Sequence, residues 1–427
     1  MDAERREGKL LSHRDARLIV LGMLLPTFMG SLDNTILANA LPTIGRDFGE
    51  THDLPWLITA YLLASTAAIP LYGKIADIHG RRFTLRIALL IYMAGSLVCA
   101  LAPSMTGLGY LHWSMIFWIN IPMGLAALAI TNTLLAQLPR HERPHQLDFI
   151  GAGLIVIASV SFMLAMNMAG GRYPWVSAPI AALLAAALVV GTLFVLRLLT
   201  APEPLIPISI LKNPVVRCAI VANACGWGAI MGLNVLLPIY LQGAMGISPS
   251  QAGLSLMAFM VALNTSAGLA GQVLGRVRHY KLLPMVMLSL SILAVTVLAL
   301  HAERITLFWF ELLLIVIGAG FGPIPSLTAV AMQNVVARHE FGISVGSMNF
   351  SRNLYATMLI AVFGALVLGN SPAGESLRGA LAGAAANAAE GFGRVFLVAA
   401  ASFSIALIAI IVMEERPLLT EADLESG

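Results

Sequence analysis

The sequence predicts an all-α polytopic membrane protein. Of its 427 residues, 58% are hydrophobic and 11% charged, with a mean hydropathy of +0.85; a soluble domain carries about 25% charged residues. The apolar residues gather into about twelve runs, each long enough to cross a hydrocarbon core of about 30 Å. The cations gather in alternate short connections, as orientation in a bilayer requires. The net charge of +3 is too small to argue for a nucleic-acid partner. Cys99, Cys218 and Cys225 lie in or beside apolar runs, with no disulfide framework or metal-ligand spacing.

The expected spans are 18–41, 55–73, 83–102, 113–136, 149–168, 176–198, 216–240, 251–274, 282–301, 306–333, 341–369 and 392–413. Each is expected to be a helix, because an open strand edge leaves backbone groups unpaired in lipid. The opening MDAERREGKLLSHRDAR lacks a cleavable signal pattern, so the first span is expected to be retained. Arg5, Arg6, Lys9, Arg14 and Arg17 precede that span; Lys74, Arg81 and Arg82 follow the second; Arg140 and Arg143 follow the fourth. Lys212 and Arg217 follow the sixth, and Arg276, Arg278 and Lys281 the eighth, whereas 103–112 and 242–250 carry no charge. Both termini are therefore expected in the cytoplasm of a multi-pass protein of the cell inner (plasma) membrane. Pro202, Pro204, Pro207 and Pro214 mark 199–215 as a cytoplasmic linker.

The turn after the second span reads Gly73-Lys74-Ile75-Ala76-Asp77-Ile78-His79-Gly80-Arg81-Arg82. The glycines suit close approach and a sharp turn, and Asp77 is the lone acid among the cations. This decapeptide resembles the signature turn between helices two and three of the major facilitator superfamily, matching at Gly73, Asp77, Gly80, Arg81 and Arg82. A weaker copy, Gly271 to Lys281, lies between the eighth and ninth spans. Such repetition is typical of transporters built from two related halves.

Leu32-Asp33-Asn34-Thr35-Ile36, running on to Pro42, resembles the first-helix signature of the fourteen-helix drug:proton antiporters within that superfamily. Phe117-Trp118-Ile119-Asn120-Ile121-Pro122-Met123-Gly124 resembles the opening of that family's sixth helix, and Ser347-Met348-Asn349-Phe350-Ser351-Arg352 its penultimate helix. The resemblance implies a major facilitator fold, with 149–198 as the extra pair of helices that this family carries between its bundles. It departs at one place. Ser104 to Gly109 reads like the entry to the fourth helix, yet Tyr110 to Trp113 already reads like the approach to the sixth. The family's fourth and fifth helices are missing, a loss of roughly 50–80 residues that leaves the first bundle incomplete and downstream orientation unchanged. The implied domains are an N-terminal bundle at 1–148 (helices one, two, three and six), the extra pair at 149–198, the linker at 199–215 and a six-helix bundle at 216–427.

Asp33 is the acid well inside a span of the first half. An ionised Asp at a helix centre costs about 2.5–3.5 kcal/mol on insertion scales, so it faces a cavity or a partner. The resemblance implies a proton-coupling role; a helix-packing Asp is the structural alternative. Arg352 lies about 17 Å into its span at 1.5 Å per residue, where it could pair with Asp33, attract anions or brace its helix. Gly342 and Gly346 form a close-packing pair on the same span. For Asp77 the resemblance implies a gate that contacts the N-terminus of the penultimate helix near Phe341, where a carboxylate is favoured. Its implied partner on the fourth helix is missing.

Gly318, Gly320, Gly322, Pro323 and Pro325 mark a broken or kinked helix, lining a cavity or packed tightly. Asn223, Asn234, Asn264 and Asn349 suit a substrate path or helix–helix hydrogen bonds. Trp56, Trp113, Tyr240 and Trp309 lie near span ends, as interfacial anchors do. With no phosphate-binding loop and no catalytic constellation, neither direct ATP use nor enzyme activity is expected; the resemblance implies export of small, amphipathic, often cationic compounds by alternating access, driven by a proton gradient without a cofactor. The expected partners are a small-molecule substrate, protons and the lipid bilayer. The rival expectation is a deletion derivative that inserts but does not transport, or one that needs self-association or a helper chain to fill the gap.

Overall fold

The computed structural model describes residues 54–100, 115–134, 148–170, 173–274, 280–302, 304–337, 340–368 and 388–415. Asp33 and the junction at 103–112 lie outside them. Among the described residues the regular structure is helical. In chain order the helices are α1 (Leu54–His79), α2 (Arg81–Ala100), α3 (Met115–Leu134), α4 (Phe149–Met168), α5 (Ala178–Thr200), α6 (Ile208–Lys212) and α7 (Pro214–Gly243). They continue with α8 (Pro249–Leu274), α9 (Leu282–His301), α10 (Leu307–Phe321), α11 (Pro323–Gln333), α12 (Phe341–Leu368) and α13 (Ala388–Val412). Eight of the described helical stretches are long and apolar enough to cross a membrane, with α10 and α11 forming one of them.

The chain divides into two compact units, residues 1–62 with 74–147, and residues 63–73 with 148–427. In the first unit α2 and α3 pack together around Leu89 and Ala127, flanked by Leu85, Tyr92, Met123 and Leu128. Asn120 Nδ2 donates to Ser96 Oγ across the pair at 3.4 Å, both residues being buried.

In the second unit α7 is the central element, packing on α8, α11, α12 and α13. Its start is locally encoded: the Asn213 side chain accepts from Val215 N–H at 3.0 Å, and Pro214 occupies the first turn. Along α7 small residues admit large neighbours. A Cβ on Gly228 would stand 2.6 Å from Tyr355 Cδ1, one on Gly232 2.5 Å from Phe363 Cε2, and one on Gly226 would run into the Phe321 ring. Close approach at small residues is how helices pack in lipid, where apolar burial gives little drive.

The glycine- and proline-marked helix breaks at Gly322, between α10 and α11. Its glycines are packing positions. A Cβ on Gly318 would lie 2.6 Å from Phe259 O, one on Gly322 2.6 Å from Leu263 O, and one on Gly320 would overlap Met287 O and Ser291 Oγ. Of the two uses open to this cluster, tight packing against α8 and α9 is the one the structure takes.

The proline-rich segment between α5 and α7 is more than a loose connection. It contains α6 and buries Leu205, Ile206 and Ile210. Tyr240, expected at an interface, is 1% exposed. Its hydroxyl donates to Ala302 O, and its ring lies 5.1 Å from Phe310, 4.9 Å from Phe392 and 5.7 Å from Phe396. Its position near the end of a span suggested an anchor, but Tyr240 lies on the buried face of α7 with Leu237 and Leu241, which makes it a core residue. Trp309 is 57% exposed.

Candidate functional site

The signature turn is built by two glycines with different roles. Gly80 alone separates α1 from α2 and adopts φ 83, a left-handed conformation that favours glycine. Thr84 donates to Gly80 O through both its N–H and its hydroxyl, at 3.2 Å each. Gly73 works by absence of a side chain. A Cβ there would stand 2.8 Å from Gly342 O and 3.1 Å from Ile343 Cα, while one on Gly346 would stand 3.3 Å from Ile69 O. Asn353 Nδ2 adds a donation to Thr66 Oγ1 at 3.3 Å. Residues 63–73 therefore run closely along the first turns of α12. Asp77 is half-buried in the last turns of α1, and Arg81 and Arg82 open α2.

A polar seam lies where α7, α11, α12 and α13 meet. Arg352 on α12 places Cζ 4.6 Å from the centroid of the Trp227 ring on α7. Its Nε is enclosed and has no hydrogen-bond partner, while the residue as a whole is half-buried. One turn on, Tyr355 Oη and Ser402 Oγ are 3.2 Å apart, and Ser402 Oγ donates to Cys225 O at 2.9 Å. Asn223 Nδ2, buried, donates to Thr328 Oγ1 at 3.0 Å. The remaining hydroxyls of α12 are satisfied within the helix: Ser347 donates to Ile343 O at 2.8 Å and Ser351 to Ser347 O at 2.9 Å.

The structure thus brings Arg352 and Asn223 into one seam. Asn234 on α7 and Asn349 on α12 are half-buried. Asn264 stands apart: it is exposed, and its amide donates to Met260 O of its own helix at 2.8 Å.

Three polar pairings escaped the reading of the sequence. Asp148 caps α4 by accepting from Gly151 N–H at 3.0 Å, and Arg197 near the end of α5 meets the same oxygen at 3.1 Å. An Asp directly before an apolar run is a helix-start signal that would have marked it. Glu311 on α10 accepts from Ser255 Oγ of α8 at 2.6 Å. Lys281, the end of the second basic turn, donates through Nζ to Ile411 O at 3.1 Å and to Met413 O, at the C-terminal end of α13 where a cation is favoured. Finally, a cavity of about 420 Å³ opens between α4, α5 and α12, lined by Ile155, Phe162, Leu188, Phe194, Phe350 and Leu354 among others.

A helical chain with this many long apolar helices is built as a polytopic membrane protein. The family model of the Major Facilitator Superfamily matches residues 23–361, well over half of the chain, and the chain belongs to that family. It is similar to an uncharacterised MFS-type transporter of Mycobacterium tuberculosis, 26% identical over 85% of this chain and 61% of the relative. The chain therefore spans less than two thirds of that relative's length. It is also similar to the multidrug transporter protein MdtP of Bacillus subtilis, 26% identical over 85% of this chain and 76% of MdtP. Among solved structures, a bacterial homologue of the iron transporter ferroportin shares the fold, with a TM-score of 0.52 at 14% identity over 94% of this chain and 99% of that one.

Proposed function

We propose that the chain is a proton-coupled secondary active transporter that exports small amphipathic compounds by alternating access. The observation that carries this reading is the packing of Gly73 against Gly342 and Ile343. It sets Gly73, the first residue of the signature motif, at the start of α12, and a turn that gates the rocking of two halves is expected to begin there. Asp77 follows Gly73 by one helical turn and so shares its face of α1; it is the gating carboxylate of this reading, with Gly80, Arg81 and Arg82 shaping the turn. Asp33 carries the proton: protonation from outside neutralises it and releases substrate. The efflux and multidrug names of the relatives support the class of cargo. Both termini are cytoplasmic, and the protein sits in the cell inner membrane.

A second reading, an internal-deletion derivative, draws on the alignment lengths. The match to MdtP runs over 424 residues yet takes in 85% of the 427 here, about 363, so about 60 aligned positions have no residue in this chain. Two spans and their loops need roughly 50–80 residues. This supports membership of the fourteen-helix antiporters with the fourth and fifth helices lost. The chain then has a four-helix first bundle at 1–148, the extra pair at 149–198, the linker at 199–215 and the second bundle at 216–427. In that case it is transport-incompetent alone, or it depends on a second copy or a helper chain. Lipid can cover exposed apolar faces, but it cannot satisfy Asp33.

The test is uptake of a fluorescent amphipathic dye by proteoliposomes holding only this chain, driven by an imposed proton gradient. The transporter reading expects uptake that a protonophore abolishes and that Asp33→Asn removes. Absence of uptake by folded protein, restored by two inserted spans after Gly109, establishes the second reading. Cysteine labelling at 106 and at 144 should report opposite sides of the membrane; labelling from one side overturns the topology.

A further inference from the structure

We propose that Arg352 and Trp227 form a receptor for the acidic group of an amphipathic organic acid, the guanidinium taking the carboxylate and the indole the apolar body. The proposal rests on the carrier reading above and narrows its cargo. A guanidinium inside a membrane protein is expensive unless its charge and its five donors find partners. Arg352 makes no ion pair and no hydrogen bond with the described residues. Its compensation is the indole face, 4.6 Å from Cζ, an attraction that offsets only part of the loss of water. Nε is enclosed and unbonded. Because the residue is only half-buried, the terminal edge of the fork is what remains reachable.

Among the described residues, the surroundings hold no spare acceptor with a charge. Tyr355 and Ser402 bond each other, Ser402 bonds Cys225 O, Ser351 bonds its own helix and Asn353 bonds Thr66. Of the described acids on the packed helices, Glu311 bonds Ser255 and Asp148 pairs with Arg197. Among the described residues nothing neutralises this planar, bidentate donor beside an aromatic surface. That combination suits a carboxylate on an apolar scaffold. The same unscreened positive charge disfavours a cation at this spot. The indole is itself held in place, with Phe321 at 6.2 Å between ring centroids, so the site is positioned before ligand arrives.

The experiment is equilibrium binding to the full chain in lipid nanodiscs, with no proton gradient. The probes are 2-naphthoate, its neutral isostere 2-naphthamide and the cation 2-naphthylmethylammonium. The wild-type chain should bind the acid about tenfold or more tighter than the amide, as for a hydrogen-bonded charge, and the cation weakest. Arg352→Gln should bring acid and amide within about twofold, Arg352→Lys should keep part of the preference, and Trp227→Leu should weaken both ligands. Equal affinity of the wild-type chain for acid and amide overturns the proposal without any variant. So does a preference that survives Arg352→Gln. Since binding needs no turnover, loss of transport with the acid preference intact refutes the carrier reading alone. Proton-driven transport without the preference refutes the receptor alone.

Discussion

Two spans of the second unit, α5 and α7, have opposite relations between composition and burial. The α5 helix is the more apolar of the two, yet 6% of its membrane-length window is buried, against 67% for α7. In water the order would be reversed, because apolar residues go inside. In lipid a uniformly apolar helix is already in its preferred solvent. The interior is marked instead by small residues and paired polar groups, and these are what α7 carries: Gly226, Gly228, Gly232 and Asn223. The α5 helix buries Ile180, Phe194 and Leu198 and is joined to its neighbour α4 by the Asp148–Arg197 clasp.

The largest effect should come from filling a notch on α7. Gly232→Leu would drive its side chain into the Phe363 ring, which is itself fully buried. Overpacking of this kind costs about 1–3 kcal/mol and occasionally more, and a leucine exceeds the single carbon that already clashes. Thermal unfolding of detergent-purified protein should show a marked drop, or no folded protein at all. A wild-type melting temperature for Gly232→Leu would mean that the burial of α7 does not matter to stability.

Next is the clasp that holds α5. Asp148 has a side chain 2% exposed, while that of Arg197 is 33% exposed. Removing the acid leaves a cation that can still turn towards water or headgroups, so the loss is well below that of a fully buried pair. The lost helix cap adds to it. Asp148→Ala should therefore cost about 1–2 kcal/mol. Arg197→Gln keeps the cap but strands a carboxylate whose side chain is 2% exposed, and it should cost at least as much. If Arg197→Gln is clearly the milder of the two, the cap outweighs the buried charge.

A smaller loss is expected at Asn223→Leu. Its amide donates to Thr328 Oγ1, but Thr328 also donates to Ile324 O, 3.0 Å away. The hydroxyl is thus not stranded when Asn223 goes. Interhelical hydrogen bonds in membranes average about 0.6 kcal/mol. A double-mutant cycle with Thr328→Val measures the coupling directly, and a value above about 2 kcal/mol would make the pair a principal determinant of the seam.

These contrasts explain which parts of the molecule were legible in sequence. Span positions were, because length and apolarity alone fix them: the expected 149–168 and 282–301 coincide with α4 and α9. The break at Gly322 was legible because glycine and proline punctuate a helix wherever it lies. Partners were not. Nothing local to Arg352 names Trp227, and nothing near Gly73 names Gly342, since such contacts join segments far apart in the chain. Tyr240 was misjudged for the same reason: position along a span says how deep a residue lies, not which way it faces. Asp33, the residue on which the coupling argument turns, lies outside the described residues.

The smallest effect should have the opposite sign, and it brings the comparison down to a single residue type. Gly191 sits in the apolar α5 as Gly232 sits in α7. A Cβ on Gly191 meets nothing within 4 Å, whereas on Gly232 it meets Phe363. Without a neighbour to admit, Gly191 contributes only backbone freedom, which weakens a helix by roughly 0.5–1 kcal/mol relative to alanine. In lipid the penalty is reduced, because the backbone has no water to bond when it unwinds. Gly191→Ala should therefore raise stability by a few tenths of a kcal/mol, read as a small upward shift in melting temperature. Gly232→Ala should lower it. If Gly191→Ala is destabilising instead, the cavity between α4, α5 and α12 that Gly191 lines has no room for the added methyl.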